Sequence, residues 1–497
     1  TKHLGEMAYA GSVVRQGEMD ALVVATGTST YFGQTATLVE EAETQSHFQK
    51  ALIKIGDYLI MVGLGLVAII FLVALFRQES LILTLQYALV LTVAAVPATL
   101  PAVLSVTLAV GAGALARQGA ITRRMTAIDE LAGMDVLCSD KTGTITQNLL
   151  TVGEIRPTGD ASPLDVLLYA ALASRAEDKD PVDEAILKEA GERLGVPALL
   201  EQWRVEKFTP FDPVAKRTEA TVAMGEGLLL SVTKGAPQVI VDLVQADTGL
   251  AAEINRVIEE FALRGYRALA VAKAQRPGRW EFVGLLALYD PPRKDSAATI
   301  RAVRELGVNL KMVTGDHLAI AREIAREVGL GANIQPVSAF VNKPDREARL
   351  LIEAADGFAQ VFPEHKYHII ELLQSQGHIV GMTGDGVNDA PALKKANAGI
   401  AVAGATDAAK SAAHIVLTRP GLSVIADAIE ESRKIFKRMN SYAIYRIGGI
   451  IRVLVFVTLS IAIFDFYPVT AIMIVLQTLL NDVPILAIAY DHVRPDQ

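Results

Sequence analysis

From Leu81 to Ala116 the sequence runs without one charged residue, and no other feature restricts the chain's fold as much. A helix rises about 1.5 Å per residue, and about 20 apolar residues cross the hydrocarbon of a bilayer, so this run exceeds one straight span. It contains VPATLP, with Pro97 and Pro101. Proline removes a backbone donor and clashes with the preceding turn. Either the helix unwinds there, turning carbonyls toward an ion or water, or it kinks. Three more segments are comparably apolar: Tyr58 to Phe76, Ala443 to Phe464 and Val469 to Tyr490, the last two forming a hairpin about FDFYP. Arg117, Arg123 and Arg124 flank the first pair of segments, and Lys434, Lys437, Arg438 and Arg494 flank the second. That basic bias places the long polar stretch between the pairs, and both ends of the chain, on the cytoplasmic side of what is expected to be the plasma membrane.

Composition agrees with a mixed chain. A mean hydropathy of +0.33 is high for a soluble protein, while 21% charged residues is too many for one living wholly in lipid. The net charge of −8 speaks against nucleic acid as a partner, because phosphate binding wants a basic surface. The single cysteine, Cys138, leaves no internal disulfide framework. No protein partner is expected; membrane lipid is. The opening stretch, LGEMAYAGSVVRQGEMDALVVATGTSTYFG, has neither the basic start nor the apolar core of a secretion signal and reads as the tail of a β-rich domain, so the chain is expected to be a fragment.

Within the polar stretch, short apolar runs ending in Gly or Asp (MDVLCSD, LKMVTGD, HIVGMTGDG, AGIAVAG, HIVLT) alternate with helical patterns such as SAATIRAVRELG and LAIAREIAREVG. That alternation predicts buried parallel strands in a doubly wound α/β domain. Between about Leu150 and Leu288 the pattern changes to alternating runs such as LLLSVT and FVGLLALY, which predicts a second domain inserted into the first.

The candidate chemistry lies at the strand ends. Asp140, in CSDKTGTIT, follows a strand-like run at the place where open α/β sheets bind ligands. Lys141 and Thr142 then offer backbone N–H groups and a hydroxyl to a phosphoryl group. Asp140 is thus a candidate nucleophile of the kind that forms an aspartyl phosphate, against the plainer reading of a helix-capping aspartate. In MVTGDH, Thr314, Gly315 and Asp316 are candidates to hold phosphoryl oxygens. In GMTGDGVNDAPAL, Asp385 and Asp389 supply hard oxygen donors suited to Mg²⁺. In FPEHK, Lys366 can neutralise charge shared by Asp140 and a phosphoryl group.

DKTGT, TGD and GDGVND in this order resemble the P-type ATPases, whose phosphorylation domain is haloacid-dehalogenase-like, and the resemblance covers essentially the whole chain. It implies a multidomain membrane protein: the end of an actuator domain (1–45), a transmembrane hairpin (46–120), a phosphorylation domain in two parts (121–149 and 289–432) around an α+β nucleotide-binding domain (150–288), and a second hairpin (433–497). It further implies ATP as substrate, Asp140 as the phosphorylated residue and Mg²⁺ held by Asp140, the backbone of Thr142 and Asp385, with Asp389 in support. By the same match FDPVAKRTEAT, KGAP and RGYRALAVA bring Lys216, Lys234 and Arg267 to ATP, with Phe211 and Asp183 nearer the base. The actuator's Thr-Gly-Glu loop does not occur in this chain.

Within the family, the run from PAVLSVTLAV to DKTGT is most similar to the plasma-membrane proton pumps. Asp482, in LLNDVPIL, is a carboxylate in an apolar span, where it is costly and a functional candidate by default. Arg452, deep in the preceding span, is the candidate partner, while Arg446 is expected to snorkel toward the interface. The expected function is proton export coupled to ATP hydrolysis. The alternatives are a pump for potassium, sodium, magnesium or calcium, and a membrane-anchored phosphohydrolase that transports nothing.

Overall fold

The computed structural model describes residues 22–30 and 47–494, except 79, 96–99, 179, 194, 213, 225–227, 277, 342, 465 and 467. Most of the expected actuator remnant lies outside the described residues, as does Pro97. Among the described residues, fourteen strands build two sheets. In chain order they are β1 (Ala120–Thr122), β2 (Val136–Asp140), β3 (Thr151–Pro157), β4 (Trp203–Asp212), β5 (Arg217–Met224), β6 (Leu228–Gly235), β7 (Arg267–Arg276), β8 (Arg279–Tyr289), β9 (Asn309–Val313), β10 (Ile334–Pro336), β11 (Gly357–Ala359), β12 (Val380–Gly384), β13 (Ala398–Ala401) and β14 (Ile415–Leu417).

The eight-stranded sheet has the order β1-β14-β13-β12-β2-β9-β11-β10. The pairs β12–β13, β13–β14, β9–β11 and β10–β11 are parallel, and β1 joins β14 antiparallel at the edge. Every residue of β2, β12 and β13 is buried, which is why these strands read as unbroken apolar runs rather than alternating ones. Asp140 is the last residue of β2, whose neighbour in the same unit is β9.

The six-stranded sheet, β3-β8-β7-β6-β5-β4, is antiparallel and occupies 151–289, matching the stretch whose patterning changes in the sequence. Both of its faces are covered. Val271 packs with Val166, Leu167 and Ile186 on one side, while its neighbours Ala270 and Ala272 pack with Ile240, Ile254 and Phe261 on the other. The two-residue period of the strand puts successive side chains on opposite faces, so one strand serves two cores.

The chain divides into two compact units: Thr1–Glu40, Cys138–Arg301 and Leu310–Leu373 in one, Glu41–Leu137, Ala302–Asn309 and Gln374–Gln497 in the other. The second unit carries the apolar helices. Among the described residues, three are long and apolar enough to cross a membrane: Lys50–Arg77, Leu100–Gln118 and Ser423–Phe464. The long uncharged run is, among the described residues, helical over Leu81–Ala95 and over Leu100–Gln118, the latter including Pro101. The last apolar segment is α-helical over Ala471–Ile485 and tightens to a 3₁₀ turn at Leu486–Tyr490 beyond Pro484. Leu59, Ile70, Leu91, Ile450, Leu454 and Val457 bury one another between these helices, while Leu72, Leu85, Phe456 and Leu480 remain exposed on their outer faces. A Cβ on Gly111 would stand 2.5 Å from Cδ1 of Ile435, so the small residue lets two helices approach closely.

Candidate functional site

Asp140 ends β2 and caps the turn that follows it. Its Oδ1 accepts the Lys141 N–H at 3.0 Å, and Nζ of Lys366 lies 3.2 Å from the same oxygen. Lys366 arrives from the first turn of the helix Pro363–Ser375, just after β11, and both groups are almost fully buried. The turn over 141–145 needs Gly143, whose φ of +71° is left-handed.

A residue absent from the sequence-derived set fixes this turn. Asp290 follows β8, and its Oδ2 accepts the Thr146 hydroxyl at 2.5 Å while Oδ1 accepts the Leu149 N–H at 3.1 Å. Nζ of Lys141 lies 3.7 Å from Asp290 Oδ2 and 3.0 Å from Asp316 Oδ2. Lys141 is therefore committed to two carboxylates. Around it, Arg293 donates to the Gly143 carbonyl at 3.3 Å and Ser296 to the Ile145 carbonyl at 2.7 Å. The signal in the sequence was DPPR: two prolines directly after a strand-end aspartate stop the sheet and aim the carboxylate back at the turn.

The remaining strand-end residues are equally fixed. Thr314 is buried after β9, and its Oγ1 accepts the Asp316 N–H at 3.1 Å, closing a tight loop through Gly315. In the turn after β12, Asp389 is buried and its Oδ2 accepts the N–H groups of Asp385 at 3.1 Å and Gly386 at 3.0 Å. A Cβ at Gly384 would lie 2.5 Å from Cβ of Asp389, so the strand must end in glycine for the aspartate to fold back. Thr142, in the turn after Asp140, is half-buried.

In the first unit a cavity of about 1040 Å³ is lined by Asp183, Phe211, Lys216, Lys234 and Arg267, all five of the residues proposed from sequence to meet ATP. Phe211 and Arg267 are exposed at it, whereas Lys234 and Asp183 are buried. Lys234, expected to contact ATP, lines the cavity while holding protein partners of its own. Its Nζ lies 2.8 Å from Asp183 Oδ1 and donates to the Ala173 carbonyl at 2.5 Å and to Thr218 Oγ1 at 3.1 Å. Lys216 holds a left-handed backbone, φ +50°, and its carbonyl accepts the Ala236 N–H at 3.0 Å.

In the second unit a small cavity of about 50 Å³ opens between the helices Ser423–Phe464 and Ala471–Ile485. Arg452 lines it, and so do Gln477, Asn481 and Arg446, the residue expected to snorkel away. Asp482 lies in the helix Ala471–Ile485, and its side chain is outside the described residues.

The haloacid dehalogenase-like hydrolase family matches residues 134–397, more than half the chain and the whole run from Asp140 to Asp389. A Methanocaldococcus jannaschii protein provisionally named a cation-transporting ATPase is 56% identical over 498 positions, 99% of this chain and 61% of its own length. The chain thus spans about three fifths of that relative. The crystal structure of a zinc-transporting PIB-type ATPase in the E2.Pi state superposes with a TM-score of 0.68 at 23% identity, covering 94% of this chain and 68% of the other. Neither of these two proteins is named as a proton pump, so the expected proton-pump branch gains no support from them. The chain belongs to the haloacid dehalogenase-like hydrolases and has the fold of a P-type ATPase.

Proposed function

We propose that this chain is the catalytic core and part of the membrane region of a pump that phosphorylates Asp140 from ATP and moves a cation, most simply a proton. One observation carries the reading: Asp140 is buried against Lys366 at 3.2 Å, in the unit whose cavity collects the five nucleotide candidates. In this reading 121–149 and 289–432 form the phosphorylation domain, 150–288 the nucleotide-binding domain, and the catalytic parts and chain ends face the cytoplasm. The cation-transporting name of the 56% identical relative agrees with it.

In the proposed reaction an Asp140 oxygen attacks the γ-phosphorus in line, a bond to that oxygen forms, and the bond to the ADP oxygen breaks with ADP as leaving group. Lys366 neutralises charge on Asp140 and the transferring phosphoryl group, and Thr314, Gly315 and Asp316 hold its oxygens. Lys141, fixed by Asp290 and Asp316, keeps the turn in the geometry that presents the Thr142 backbone. The donor set fits Mg²⁺: Asp140, Asp385 and Asp389 offer hard carboxylate oxygens with neither thiolate nor imidazole, and the Thr142 carbonyl adds a neutral one. When bound there, the ion supplies positive charge against the phosphoryl oxygens.

For the cargo, the charged residues described at the cavity between the two helices are Arg446 and Arg452, which oppose a metal dication and suit a carboxyl that exchanges a proton, for which Asp482 is the candidate. The second reading, a soft-metal pump, is favoured by the zinc-transporting structural neighbour. Against it, the four apolar segments of this chain carry no cysteine and no histidine.

The test is acid-stable labelling of the protein with γ-³²P-ATP and Mg²⁺, beside Asp140→Asn. A hydroxylamine-sensitive label lost in the variant is expected; a label that survives the substitution would overturn the assignment of Asp140. ATPase activity of the same protein against pH and individual cations reads the cargo, and activation by a metal ion without a proton optimum would sink the proton reading.

A further inference from the structure

His317 is the residue after Asp316 in MVTGDH. Its ring opens the helix Leu318–Glu327, with Nδ1 as the acceptor facing the Ala319 N–H at 3.5 Å. With Nδ1 turned to the helix start, Nε2 is the ring nitrogen left to donate an N–H into the cavity. The imidazole is exposed, and it lines the same 1040 Å³ cavity as Lys216 and Arg267.

The position along the chain says what that donor meets. Asp316, one residue earlier, holds Lys141 of the turn after Asp140 at 3.0 Å, while His317 faces the cavity of the nucleotide candidates. The loop 314–317 therefore has one side chain toward the phosphorylated residue and the next toward the nucleotide. Arg267 also lines this cavity, and its loop is seated on the same helix: a Cβ at Gly265 would stand 3.1 Å from Cβ of Glu323. A nucleoside triphosphate bound in this cavity would find the start of this helix, one residue from the carboxylate that holds Lys141, on the lining beside its polyphosphate.

We infer that His317 is a nucleotide-binding residue whose Nε2–H donates to a polyphosphate oxygen of the bound nucleoside triphosphate. The inference rests on the ATP reading proposed above and adds to it a contact that none of the phosphate-end residues named there supplies.

Two near-isosteres separate this role from helix capping. His317→Asn keeps an oxygen where Nδ1 caps the helix but has nothing at Nε2; His317→Gln keeps an N–H near Nε2 but gives up the cap. Binding of Mg-ATP and of adenosine is measured on the full-length protein by calorimetry, with melting temperature recorded for each variant and kcat and KM measured for ATP hydrolysis. The expected result for His317→Asn is roughly tenfold weaker ATP binding and a correspondingly raised KM, with adenosine binding and melting unchanged, since one hydrogen bond to a charged acceptor is lost. His317→Gln should stay within about threefold of wild type for ATP on the same bookkeeping, though it melts lower. ATP bound by His317→Asn as tightly as by wild type, or more weakly by Gln than by Asn, overturns the inference. If the wild-type protein itself fails to bind Mg-ATP, the functional reading falls, and this inference falls with it.

Discussion

Nζ of Lys366 lies 3.2 Å from Oδ1 of Asp140, with side-chain exposures of 9% and 11%. At such depth the pair sees little solvent screening, so removing one partner leaves the other buried without its counter-charge. Removing the lysine leaves Asp140 beside a phosphoryl group that repels it. Lys366→Ala is expected to slow phosphorylation from ATP by about a hundredfold or more, and Lys366→Arg to recover part of that; rapid-quench measurement of the acid-stable label reads both. Phosphorylation at the wild-type rate in Lys366→Ala would show that the lysine serves packing alone.

The Lys234–Asp183 pair makes a different prediction, because its ammonium is already held by Asp183, Ala173 and Thr218. Lys234→Met should destabilise the fold by about 3–5 kcal/mol, the usual cost of stranding one buried charge. The double replacement Lys234→Met with Asp183→Leu should cost clearly less, as the stranded charge is gone. Chemical denaturation of the three proteins decides it; equal losses in single and double variants would mean that the pair is not coupled.

Gly235 ends β6 where a Cβ would stand 2.5 Å from the Lys216 carbonyl oxygen. That neighbour is backbone and cannot rotate away. Gly235→Ala is expected to lower stability by about 1–3 kcal/mol and to weaken ATP binding, because relief of the clash moves Lys216 at the cavity wall. Thermal melting together with nucleotide titration checks both, and unchanged values for each would show that the strand end has slack.

His414 precedes β14, where its Nδ1 accepts the Gly399 N–H at 3.0 Å. Burial, with Arg124, Lys394 and Arg123 adding to it, pushes its pKa down to about 4. The unfolded chain takes up that proton near pH 6.5 and the folded chain only near 4, so protonation favours unfolding between the two. Stability should therefore fall as pH drops from about 6.5 to 4, by up to roughly 3 kcal/mol for this group. His414→Asn, which keeps an acceptor for Gly399, should lose less over that range. Parallel pH slopes for the two proteins in chemical denaturation would rule this histidine out as the cause.

Much of the architecture is legible in the residues themselves. The buried strands β2, β9, β12, β13 and β14 fall on MDVLCSD, LKMVTGD, HIVGMTGDG, AGIAVAG and HIVLT, because apolar period and terminal Gly or Asp are local properties. The antiparallel sheet over 151–289 follows from the same kind of signal, as do the apolar helices. The strand-end motifs single out Asp140, Lys366 and Asp389 from local sequence alone.

What the sequence by itself determined, then, is which segments are strands or apolar helices and which strand ends carry carboxylates, since side-chain period and turn chemistry act over a few residues. Only the tertiary structure decided the partners. Lys234 pairs with Asp183, Asp290 holds Lys141 and Thr146, and Arg446 joins Arg452 at one cavity. Each such pairing except the last joins residues far apart in the chain, and a charged group finds whichever opposite charge or carbonyl the packing brings within about 3 Å, which no local spacing encodes.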